Sequence, residues 1–133
     1  MNESVALSPE EMVHAIARYA SDRKALEVVQ LDLRGIIGYT DFFLICSGRS
    51  GRQVKAIHDA IHQGMKSHHH TLPERVEGLA QARWVLMDYL DVVVHVFTPD
   101  ARAYYRLEQL WAEAPQQELG EPVTAAYGSW TTD

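Results

Sequence analysis

Two histidines one helical turn apart, with a carboxylate beside the first, can ligate a metal ion and activate a water. His58-Asp59-Ala60-Ile61-His62 has that pattern. Its base position holds aspartate, shorter than glutamate, and no third ligand follows at a recognisable spacing. Ile57 and Ile61 take the core side of the same helix, which leaves His58 and His62 to its flank or outer surface. His68-His69-His70 closes that helix, where imidazoles interact favourably with the dipole without any metal. Gly48-Arg49-Ser50-Gly51-Arg52 leads from a strand into a helix start, where free amides can hold an anion. It lacks the Walker lysine and the full dinucleotide glycine set. Cys46 lies in the apolar run Phe42–Cys46, with no histidine placed to serve it, and reads as a buried structural thiol. No Ser-His-Asp set or paired-carboxylate pattern occurs. No catalysis, metal or cofactor is expected.

What remains is an aromatic and acidic concentration. Trp84, Tyr89, Phe97, Tyr104, Tyr105 and Trp111 fall within 28 residues, interleaved with Asp88, Asp91, Asp100 and Glu108. Many of these rings belong to a core. Tyr104 and Tyr105 cannot both do so, because adjacent helical residues face about 100° apart. Aromatics rimmed by charge are the composition of protein interfaces.

The elements that must position these residues follow from spacing. Ser8-Pro9-Glu10-Glu11 is a capping box with proline at the first helical position. Met12, Ile16 and Ala20 then give an apolar stripe. Leu26–Leu33 reads as a strand, broken by the glycines of Arg34–Thr40. Phe42–Cys46 reads as a strand buried on both faces. Ser50 and Gln53 form a second capping box, followed by Val54, Ile57, Ile61 and Met65 at helical spacing. Thr71–Ala82 is a loop with room for a short strand at Val76. Arg83–Tyr89 and Asp91–Phe97 form a hairpin, with Trp84, Leu86 and Asp88 on one face and Val85, Met87 and Tyr89 on the other. Trp84 opens its strand, so part of its ring can stay exposed. Thr98-Pro99-Asp100 caps a last helix carrying Tyr104, Leu107, Leu110 and Trp111. The order α-β-β-α-β-β-α predicts a mixed β-sheet with flanking helices. Residues 1–115 form one domain and 116–133 a loosely held tail.

With 133 residues, 47% of them hydrophobic, the chain suffices for one globular core. Its longest apolar runs are far too short to span a membrane. Met1–Glu11 shows no secretory pattern, and one cysteine cannot form an internal disulfide, so a cytoplasmic protein is expected. The net charge of −6 argues against holding nucleic acid by phosphate neutralisation. The balance is uneven: Arg18–Lys55 holds seven basic and four acidic residues, and Glu74–Asp133 four and ten. A basic partner suits the second half.

A family resemblance rests on ordered blocks. These are Leu31-Asp32-Leu33-Arg34-Gly35, Tyr39-Thr40-Asp41-Phe42-Phe43 and Ile45-Cys46-Ser47-Gly48-Arg49-Ser50, with Arg52-Gln53-Val54 close behind. Val76-Glu77-Gly78, Trp84–Tyr89, Asp91–Phe97, Ala101–Glu108 and Leu110-Trp111 complete the series. From about Ser8 to Pro115 the chain resembles the ribosomal silencing factor family, also called Iojap. The resemblance implies a nucleotidyltransferase-like α/β fold, a homodimer and no catalysis. It also implies binding to the large ribosomal subunit through its protein fourteen, which blocks small-subunit joining and slows translation when nutrients are scarce. Direct contact with nucleic acid is expected to be slight. Trp84 with Val85 matches the family's binding surface; Asp88, Tyr89, Tyr104 and Tyr105 are further candidates. One position departs from the family: Leu90 stands before Asp91 where glycine is common, and leucine is strained there if the turn needs positive φ.

The competing reading is a nucleotide-handling enzyme with a degenerate site. Transferases of that fold need two carboxylates on one strand to hold metal. Here the available pair, Asp88 and Asp91, flanks a turn.

Overall fold

The computed structural model describes residues 6–119. Helix α1 (Pro9–Asp22) leads to β1 (Leu26–Asp32) and β2 (Phe42–Ser47), then α2 (Gly51–His69). β3 (Arg75–Glu77), β4 (Trp84–Asp88) and β5 (Val92–Phe97) follow, then α3 (Pro99–Tyr105), α4 (Leu107–Leu110) and β6 (Gln116–Glu118). The six strands form one sheet in the order β3-β4-β5-β2-β1-β6, with β2 and β5 parallel and every other neighbour antiparallel. The fold is therefore the expected mixed sheet with flanking helices.

Burial explains the strand order. Every residue of β2 and β5 is buried, so these near-continuous apolar runs take the centre, where both faces are covered. α1 and α2 bring Val13, Ile16, Ile57 and Ile61 onto one face, against Phe42, Leu44, Val85 and Met87. On the other face Leu31, Phe43, Ile45, Val93 and Phe97 are covered by Ile36, Ile37, Leu107 and Trp111. That second cover reaches β1, β2 and β5 but leaves β4 half-bare.

The Ser8–Glu11 capping box forms as expected. At α2, Ser50 Oγ accepts from the Gln53 amide at 3.2 Å, but Gln53 Oε1 accepts from the Arg49 N–H rather than closing the box on Ser50. The expected last helix is broken: Arg106, at φ 54°, ends α3 and starts α4. The tail expected from Gln116 begins as a strand. Gln116, Gln117 and Glu118 pair with Leu31, Gln30 and Val29, and Leu119 packs on the main core. The rest of that tail lies outside the described residues. β1 carries a bulge between Leu26 and Val29, where Glu27 has φ 49°.

Candidate functional site

The β4–β5 hairpin places Trp84, Val85, Asp88 and Tyr89, and α3 carries Tyr104 and Tyr105. Trp84 pairs with Phe97 and Leu86 with His95, so alternation sends Trp84, Leu86 and Asp88 to the half-bare face. Val85 and Met87 are fully buried on the other face, and Tyr89 is nearly so. Val85 and Tyr89, expected at a contact surface, therefore place their side chains in the core beneath α1 and α2, because period-two alternation turns them away from the half-bare face.

Trp84 is half-buried in a run of rings. Its indole lies 4.4 Å from Tyr105 and 5.1 Å from Phe97, centroid to centroid. Tyr104 meets Tyr105 edge-on at 5.0 Å, and His95 meets Phe43 at 4.5 Å. Tyr39 extends the series beyond Phe43 at 6.5 Å. Tyr104 is 77% exposed and Tyr105 46%, which agrees with the argument that both cannot enter a core. Gly78 fixes the backbone beneath the indole. It has φ +85°, and a Cβ there would lie 2.0 Å from the carbonyl oxygen of Trp84.

His95 is the residue that sequence reasoning missed. The Trp84 Nε1–H donates to His95 Nδ1 at 3.0 Å, and an indole N–H only donates. His95 therefore carries its proton on Nε2 when neutral. Burial, which disfavours the imidazolium, depresses its pKa to about 3. The available signal was a lone polar residue inside Val92–Phe97, two residues from the cross-strand partner of Trp84.

Asp88 is already engaged: its carboxylate accepts from the Leu90 amide at 2.8 Å and from Arg75 at 3.4 Å. Asp91 lies across the turn from it, and its carbonyl accepts from the Asp41 and Phe42 amides. The two carboxylates are not presented as a metal-binding pair on one strand. Among the described residues, no three His, Cys, Asp or Glu side chains gather closely enough to hold a metal ion.

The other sequence candidates sit elsewhere. His58 is buried, not on the outer surface of α2, and its Nδ1 meets Asp59 at 2.8 Å; its ring lies 5.7 Å from His62. His68 and His69 bond the Tyr19 hydroxyl at 3.1 and 3.0 Å. Cys46 is fully buried, and burial pushes its thiol up to about 12, which suits a structural role. Ser47 accepts at 3.0 Å from the buried guanidinium of Arg102, whose other nitrogens bond Glu108. This anchors α3 and α4 beneath Tyr104 and Tyr105. No helix among the described residues is long and apolar enough to cross a membrane.

Fold and site define the class: an α+β domain with a six-stranded mixed sheet and an aromatic, partly uncovered face along β4. Residues 6–132 match the family model described as ribosomal silencing factor during starvation, and the chain belongs to that family. It is 48% identical over 118 residues to the ribosomal silencing factor RsfS of Halalkalibacterium halodurans, covering 85% of this chain and 96% of that protein. A crystal structure from Bacillus halodurans superposes with a TM-score of 0.73 at 45% identity, covering 83% of this chain and 99% of that one. An X-ray structure of a Chromobacterium violaceum protein gives 0.77 at 28% identity, over 89% and 92% of the two chains.

Proposed function

We propose that this chain binds the large ribosomal subunit through its protein fourteen and blocks joining of the small subunit. It thereby represses translation under nutrient limitation, acting in the cytoplasm, as a homodimer and without enzymatic activity. The observation that carries this reading is Trp84, only partly buried, beside Tyr104, Tyr105 and Leu86 where the second cover of the sheet stops. Rigid aromatics at the centre of a contact concentrate binding energy, often about 2 kcal/mol or more per residue. Farther along the same face, at the hairpin end of β4 away from Trp84, Asp88 and Asp91 add acidic charge that suits a basic ribosomal protein. Family membership adds independent support.

Co-sedimentation with isolated large and small subunits tests it. The protein is expected to pellet with the large subunit alone. Trp84→Ala is expected to weaken that binding about thirtyfold, the equivalent of about 2 kcal/mol. Tyr104→Ala, which removes an exposed ring at no cost to the core, is expected to weaken binding while leaving the melting temperature unchanged. Normal large-subunit binding by both folded variants would reject the contact surface. No binding by the unmodified protein would reject the function.

A further inference from the structure

The net charge of −6 conceals a segregation along the strand axis. Asp32 and Asp88 end β1 and β4, while Asp41 and Asp91 precede β2 and β5, so these four carboxylates gather at one end of the sheet. The cations at that end are neutralised. Arg34 pairs with Asp32 and Glu10, and Arg75 with Glu77 and Asp88.

The opposite end is different. Arg23 and Lys24 precede β1, Arg49 follows β2, Arg52 and Lys55 lie in the first turns of α2, and Arg83 precedes β4. All six are exposed, and among the described residues none of them forms an ion pair. One side chain braces the cluster. Gln53 Nε2 donates to the carbonyls of Arg23 and Lys24 at 3.0 and 3.1 Å, while its Oε1 accepts from the Arg49 amide at 2.7 Å. Arg52 shares one groove with Arg23 and Lys24 and a second with Lys55 and Ala82. Ala82 and Arg83 lead directly into Trp84, so the basic corner adjoins the aromatic face. Four carboxylates share this end with the six cations: Asp22 stands in the first groove, Asp59 lines the second while meeting His58, and Glu27 and Asp100 lie at the start of β1 and of α3.

A basic ribosomal protein cannot be the partner of a basic corner, because like charges repel. A ribosomal subunit also presents RNA, whose phosphates attract clustered Lys and Arg and release counterions when neutralised. We propose that this corner binds the phosphate backbone of large-subunit ribosomal RNA, next to the protein engaged by the Trp84 face. The proposal rests on the large subunit being the partner. It departs from what total charge predicts, because phosphate contact depends on the local arrangement of cations and not on their sum over the chain.

The test compares the full chain with its Arg49→Ala/Arg52→Ala/Lys55→Ala variant, after equal melting temperatures confirm folding. Binding to the intact large subunit is measured across a potassium chloride series, and binding to isolated ribosomal protein fourteen at one salt concentration. The variant is expected to bind the subunit about tenfold more weakly, with the slope of log affinity against log salt reduced by about 2–3. Its affinity for the isolated protein is expected to be unchanged. Equal affinity and slope on the subunit would overturn the proposal, and so would a parallel loss on isolated protein fourteen, which would make the corner a protein contact. If the unmodified chain ignores the subunit, the functional reading fails, and a structured RNA hairpin at low salt decides this proposal separately. Tenfold tighter hairpin binding by the unmodified chain would support an RNA surface, and equal binding would overturn it.

Discussion

The indole of Trp84 is latched to the buried imidazole of His95 by a 3.0 Å hydrogen bond across the β4–β5 hairpin. The central ring of the half-bare face is therefore held from below by a polar group and from the side by Tyr105 and Phe97. A rigid indole loses little conformational freedom when a partner covers it.

Trp84→Phe tests the latch. Phenylalanine keeps an aromatic ring over Phe97 but leaves His95 Nδ1 without its donor. Urea denaturation is expected to show a loss of about 1–2 kcal/mol, within the range for an orphaned acceptor. Unchanged stability would mean that the hydrogen bond contributes nothing.

The same pair makes stability depend on pH. The pKa of His95 is about 3 in the folded protein, against 6.5 for a free imidazole, so the unfolded chain binds the extra proton between those values. Its contribution is fully present above pH 6.5 and is lost as pH falls toward 3, by up to about 1.4 kcal/mol per pH unit. Denaturation curves from pH 7 to pH 4 should show this slope, reduced in His95→Gln. Nitrogen NMR should place the imidazole proton on Nε2 at neutral pH.

Leu90 has φ 72° and is 57% exposed, so it bears left-handed strain with little packing in return. The strain suspected from its place before Asp91 is present. Leu90→Gly is expected to stabilise the fold by about 1 kcal/mol, the strain of about 1–2 kcal/mol less the entropy cost of glycine. Leu90→Ala, which keeps the Cβ, should bring no such gain in thermal or urea unfolding.

Arg102 and Glu108 form an ion pair whose guanidinium side is only 9% exposed. Glu108→Ala strands that charge, and about 3 kcal/mol of stability should be lost in urea unfolding. Because the pair anchors α3 and α4, Tyr105 should also loosen from Trp84, visible as a change in tryptophan fluorescence. A neutral result would show that Ser47 and solvent suffice for Arg102.

Sedimentation equilibrium checks the proposed homodimer. A species of about twice the 15.0 kDa chain mass is expected at tens of micromolar. A single-chain mass there would count against it. The short polar edge strands β3 and β6 are poor templates for strand pairing, so the contact is expected from a sheet face or the flanking helices.

Local chemistry made much of this molecule legible in advance. The Ser8–Glu11 box, the apolar runs of β2 and β5, the hairpin alternation and the stripe of α2 are short-range patterns, and each forms where its spacing requires. Other features depended on which segments meet in space. β6 lacks an apolar pattern and exists because β1 offers it an open edge. His58 is buried by its surroundings, although its place on α2 suggested a flank. Trp84 finds His95 eleven positions away, and Gln53 gathers cations from segments about thirty residues apart. Charge shows the division most plainly. Composition determined the total of −6, but only the order and direction of the strands decided that Asp32, Asp41, Asp88 and Asp91 meet at one end and that six exposed cations gather at the other. Electrostatic attraction acts over distances of about 10 Å in salt, so it is set by neighbours in space and not by position along the chain.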